Sequence, residues 1–112
     1  MVIHKYLSDS GRDFLMEYID SLPEEERIDG LSVLECMENG EFDKIKFKRW
    51  DKKIYEVYFR KHNRIFYIAV DSNNIYLLHA CRKQKNQTEK KDKKIVIKRA
   101  KELGKALGKV FV

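Results

Sequence analysis

The sequence predicts an α+β domain, with two N-terminal helices and a C-terminal helix packed on a small, mainly antiparallel β-sheet. Three observations predict it. Apolar residues recur at helical spacing before Gly40 and again after Thr88. Between them lie β-branched and aromatic runs separated by short turn-forming segments. The chain has 112 residues, the size of one domain, so residues 1–112 are read as a single unit.

Val2 to Leu7 reads as a first strand. Ser8 to Ser10 offer caps for a helix whose Phe14, Leu15, Tyr18, Ile19 and Leu22 share one face. Ser21-Leu22-Pro23-Glu24 has a capping-box pattern, and the carboxylates after it complement the positive end of a second helix. That helix presents Ile28, Leu31, Leu34 and Met37 before Asn39-Gly40 ends it. Lys44 to Lys48 reads as a short strand, with Trp50 to Lys53 as a connection. Ile54 to Arg60, Arg64 to Val70 and Ile75 to Cys81 then form a meander, with turns at Lys61-His62-Asn63 and Asp71 to Asn74. Thr88 is placed to cap the last helix, whose stripe is Val96, Ala100, Leu103 and Leu107. Gly104 and Gly108 weaken its end, and the apolar tail Val110-Phe111-Val112 needs to pack back to be buried.

No apolar run approaches the roughly 20 residues that span a bilayer, and the N-terminus lacks a signal-peptide pattern. Cys36 and Cys81 read as buried free thiols of a reducing cytoplasm, and no Cys/His spacing suggests a metal. The expectation is a cytoplasmic domain without cofactor, metal or membrane contact.

The net charge of +6 hides a polarised chain. Residues 1–41 carry 3 Lys/Arg against 11 Asp/Glu, whereas residues 42–112 carry 21 against 7. The acidic third reads as the solvated outer face of two helices. The cations lie on and between aromatic-rich strands, which suits a folded surface for a polyanion such as nucleic acid.

The stretch from Ile54 to Leu103 resembles the RelE/HigB superfamily of bacterial toxins, in particular its phage-derived HigB-like branch. The resemblance lies in Arg64-Ile65-Phe66-Tyr67 after a strand and turn, the apolar run Ile75 to His79, the basic connector Lys83 to Thr88, and a helix with Ala100-Lys101. Asn63 stands where that family usually has a tyrosine before the arginine, and Gln84, Lys85, Gln87 and Glu89 alter the connector. The resemblance implies the toxin of a type II toxin–antitoxin pair that cleaves mRNA on the translating ribosome. It also implies silencing by a helix-turn-helix, HigA-like antitoxin.

RNA can be cut without a metal because its 2′-hydroxyl is an internal nucleophile. The protein then has to align the phosphate and offset the charge of the transition state. Arginine suits that task, and lysine can act as a base only where neighbours favour its neutral form. The catalytic candidates are Arg64, Lys83, Arg60, Lys53 and His79. Arg60 and Arg64 flank a three-residue turn and are expected to converge on one phosphate. Lys52, Tyr58, His62, Arg82, Lys85, Lys90 and Lys91 are candidates for RNA binding, with Tyr58 the aromatic expected to stack on a base. His79 is equally a hydrogen-bonded structural histidine. Two other functions remain open on the sequence: a ParE-like toxin that binds a protein target such as gyrase, and a non-catalytic RNA-binding module.

Overall fold

A computed structural model describes residues 1–83 and 88–112. Its elements are β1 (Val2–His4), α1 (Phe14–Asp20), α2 (Glu24–Glu38), β2 (Lys46–Asp51), β3 (Ile54–Phe59), β4 (Asn63–Ala69), β5 (Asn74–Arg82) and α3 (Lys90–Leu107). The five strands form one sheet in the order β1-β5-β4-β3-β2. Only β1 runs parallel to its neighbour; β2 to β5 are an antiparallel meander. The α+β class and the mainly antiparallel sheet are as the sequence predicts.

Period-two alternation gives the sheet two different faces. Val57, Phe59, Ile65, Tyr67, Ile75 and Leu77 point to one side, where Leu15 and Ile19 of α1 and Val33 and Met37 of α2 cover them. Ile54, Phe66, Ile68, Leu78 and Cys81 point to the other, beneath Val96 and Ala100 of α3. Phe111 completes this second cluster, so the apolar tail folds back onto the domain while Val110 stays exposed.

Several local expectations are corrected. Asp13, not a residue of Ser8 to Ser10, caps α1 by accepting from the Met16 amide. Ser21 belongs to the end of α1, where its hydroxyl donates to the Tyr18 carbonyl, so the expected capping box does not form. The first strand stops at His4, and Leu7 makes only an isolated bridge to Asp13. A short 3₁₀ turn, Phe42–Lys44, occupies the start of the expected fourth element, and β2 begins later, taking Trp50 into the strand. Glu89, not Thr88, occupies the N-cap of α3 and makes no side-chain cap bond, while the Thr88 hydroxyl accepts from the Trp50 indole at 2.9 Å.

Gly104 and Gly108 shape the end of α3 as well as weakening it. Gly108 turns left-handed (φ 65°) and the Lys109 amide donates to the Gly104 carbonyl. A Cβ on Gly104 would sit 2.5 Å from the Lys109 carbonyl oxygen. Inside a helix Gly→Ala ordinarily stabilises by up to about 1 kcal/mol. Here Gly104→Ala is expected to destabilise by about 1–3 kcal/mol, because the returning tail must move. A thermal melt gives the sign directly; a raised Tm would contradict this packing.

Candidate active site

Lys48, Glu56 and Arg64 occupy positions on β2, β3 and β4 whose side chains point to the α3 side of the sheet. Lys48 pairs across the strands with Glu56, and Tyr58 with Arg64. Lys83 follows β5, with its amide bonded to the His62 carbonyl at 2.6 Å. These polar side chains border the apolar cluster under α3: Glu56 lies across the strands from Phe66, and Arg64 from Cys81.

They gather on one carboxylate. Glu56 Oε1 lies 3.3 Å from Lys48 Nζ, 3.5 Å from Lys83 Nζ and 3.9 Å from Arg64 Nε. Glu56 is fully buried, the Lys83 side chain is 5% exposed and Arg64 12%, while Lys48 reaches solvent. Among the described residues, neither Glu56 oxygen nor Arg64 Nε makes a hydrogen bond. Arg64 is fixed otherwise: Nη1 donates to the carbonyls of Lys61 (2.8 Å) and Asn63 (3.1 Å), and its guanidinium lies 5.1 Å from the Tyr58 ring centre. One anion among three cations leaves the cluster positive, which a phosphate would offset. Beside it opens a cleft of about 520 Å³, with Lys48, Trp50, Glu56, Lys83 and Lys93 in its walls.

The structure therefore brings Arg64 and Lys83 together and adds Glu56 and Lys48, which the sequence reading missed. A signal for Glu56 existed: it is the lone carboxylate in Ile54-Tyr55-Glu56-Val57-Tyr58-Phe59, at an inward position. Arg60 is not brought to Arg64. It sits in the turn with φ 49°, and its guanidinium pairs with Asp29 and Glu25 of α2. Arg82 likewise faces Glu26 at 3.7 Å. The α2 carboxylates are thus not merely solvated; three of them hold cations of the sheet.

Asn63, the position that departs from the family pattern, links α1, α2 and β4. Its Nδ2 donates to Glu26 (2.9 Å), and its Oδ1 accepts from the Tyr18 hydroxyl. Burial pushes the Tyr18 phenol up to about 12, so it stays a donor at neutral pH. The Asn63 backbone carbonyl in turn holds Arg64, so this buried network fixes the arginine's base.

Among the described residues, the other candidates make no ion pair with Glu56. Lys52 and Lys53 form the exposed β2–β3 turn, with Lys52 at φ 50°. Lys90 and Lys91 are exposed on the first turn of α3. His62 is at the surface, its Nδ1 3.3 Å from the Lys83 carbonyl. Lys85 lies outside the described residues.

His79 is under α3, stacked on Phe66, with Nε2 2.8 Å from Asp92 Oδ1. Arg99 Nη1, a donor, stands 3.5 Å from Nδ1, so the proton between ring and carboxylate belongs to Nε2. His79, Cys81 and Asp92 place potential metal-ligand atoms within 4.8 Å of one another. Burial, however, pushes the Cys81 thiol up to about 12 and keeps it protonated. The trio ties β5 to α3.

Burial also holds the His79 imidazole below its ordinary value, despite the raising effect of Asp92. The unfolded chain therefore takes up a proton as pH falls below about 6.5, before the folded protein does. The stability contributed by neutral His79 is complete above that value and declines toward the lowered folded pKa. Urea unfolding at pH 7.5 and 5.5 should show the wild type losing more stability than His79→Gln, by at most about 1.4 kcal/mol for this group per pH unit. Equal losses would contradict the burial effect.

Among the described residues, no helix is long and apolar enough to cross a membrane. The family model for the phage derived protein Gp49-like (DUF891) matches residues 17–101, from α1 into α3 and across the whole cluster. No curated protein matches the chain.

Proposed function

The chain belongs to the Gp49-like phage-derived family, a RelE/HigB-like toxin family whose modules include an antitoxin, and we propose that it cleaves mRNA on the translating ribosome. The observation that carries this reading is the convergence of Arg64, Lys83 and Lys48 on buried Glu56 beside an open cleft. A single buried anion gathers three cations without neutralising them. The remaining positive charge meets the scissile phosphate.

In this reading the RNA 2′-hydroxyl attacks the adjacent phosphorus and the 5′-oxygen leaves, giving a 2′,3′-cyclic phosphate and a 5′-hydroxyl. Arg64 has Nη1 occupied by two carbonyls, which leaves Nη2 to donate to a non-bridging oxygen. Lys83 is nearly immobile beside Glu56 and supplies a fixed positive charge. Lys48, more exposed, follows the phosphate as its charge grows. Lys90 and Lys91 belong to a surrounding field that docks on ribosomal RNA, an association that weakens steeply with salt. A helix-turn-helix, HigA-like antitoxin would silence the toxin by covering this cationic face.

Induction of the chain in a bacterial host, followed by primer extension on cellular mRNA, tests the reading. Discrete cuts that vanish when initiation is blocked are expected. DNA damage without mRNA cuts would instead support a ParE-like action on a protein target. RNA binding without cleavage on translating ribosomes would support a non-catalytic module.

A further inference from the structure

The cleft contains an aromatic wall that the phosphate chemistry does not use. Trp50 is the chain's one tryptophan, and it is half-buried. Two contacts immobilise its ring. Phe66 meets it edge-on, with centroids 5.3 Å apart and planes at 74°, and Thr88 accepts its Nε1 proton at 2.9 Å. The indole polar group is satisfied, so solvent is not needed to hold the ring in place. Tyr58, expected to stack on a base, instead lies against the Arg64 guanidinium.

We propose that this cleft is a subsite for one unpaired RNA base, stacked on Trp50, next to the phosphate held by Arg64 and Lys83. The inference rests on the RNA reading above and deepens it. The volume of about 520 Å³ lies within the ~300–1,000 Å³ typical of small-ligand sites. Lys48, Arg49 and Lys93 line the same cleft and suit phosphates flanking the base. Glu56 and Lys83 connect it to the catalytic cluster. An indole face accepts any base, so stacking alone gives little sequence preference; the larger purine rings overlap it most.

The single tryptophan makes the test direct. The whole protein is titrated with a short labelled single-stranded oligoribonucleotide, the same strand with abasic residues, and inorganic polyphosphate. Trp50 emission and strand anisotropy are followed together. The expected result is quenching by the base-bearing strand alone, with all three polyanions competing for binding. Trp50→Leu should weaken binding of the base-bearing strand about 5- to 150-fold, the worth of one stacked base, and leave abasic binding unchanged. Trp50→Phe should recover part of the loss.

Equal quenching by the abasic strand would overturn the subsite, as would absence of quenching by any strand at saturating or highest attainable concentration. Wild-type cleavage on translating ribosomes is measured in parallel. Loss of the subsite with cleavage intact removes only this inference, whereas quenching without cleavage removes the nuclease reading and leaves the base subsite standing.

Discussion

Glu56→Ala is expected to destabilise the protein by about 3–5 kcal/mol, the cost of leaving buried charges without their counter-ion. Lys83, almost wholly buried, and Arg64, largely so, would face each other with no anion between them. Lys48 adds little to this cost because it reaches solvent. Circular dichroism should show the melting temperature falling by more than about 10 °C for a chain of this size. Glu56→Gln keeps the shape and loses the charge, so it should fall between the two. A Glu56→Ala melt within about 2 °C of wild type would show that the three cations do not depend on Glu56. A Glu56→Leu, Lys83→Met, Arg64→Met triple variant, which removes every buried charge of the cluster, separates charge from packing. It should recover much of the stability while remaining inactive, since a buried charged cluster is replaceable by apolar groups of similar size.

Arg64→Ala is expected to reduce mRNA cleavage about 10²–10³-fold, the usual consequence of removing one well-placed donor to transition-state charge. Its stability loss should be smaller than that of Glu56→Ala, because Glu56 keeps Lys83 and Lys48. Arg64→Lys should not restore activity. A lysine keeps the positive charge but cannot bond to the Lys61 and Asn63 carbonyls while also offering a second planar donor. Single-turnover cleavage on purified programmed ribosomes separates this from weakened docking, which would appear in the concentration dependence. Full activity in Arg64→Ala would remove the arginine from the site.

The central strands were legible because their β-branched and aromatic runs end at clear turns. β3, β4 and β5 lie within a residue or so of the expected positions. β2 begins later than the sequence pattern suggests, because Lys46-Phe47-Lys48-Arg49-Trp50 carries charge on both alternation phases, which hides the inward side. The parallel pairing of β1 with β5 joins residues some seventy positions apart, and no local pattern specifies it.

Site residues divided in the same way. Arg64 and Lys83 followed from the resemblance to a toxin family, and the fold brings them together. Arg60 does not join Arg64, because closeness in sequence does not fix the direction in which a turn residue points. Positive φ at Arg60 and Lys61 turns the chain toward α2, where Asp29 and Glu25 take the guanidinium. The same contacts revise the charge split: Arg60 and Arg82 pair internally with α2, whereas Lys48 and Lys83 of the Glu56 cluster, with Arg49 and Lys93, line the cleft. Glu56 itself is readable as a solitary inward carboxylate, but its partners come from β2, β4 and the residue after β5, which only the folded sheet brings together.

Attack by the RNA's own 2′-hydroxyl is tested most directly on ribosomes programmed with an mRNA carrying a single 2′-deoxynucleotide on the 5′ side of the mapped cut. The all-ribose message is expected to be cut to a 2′,3′-cyclic phosphate and a 5′-hydroxyl, and the single deoxy substitution to abolish that cut. Cleavage of the deoxy message at the same bond, or release of a 3′-hydroxyl end, would contradict it.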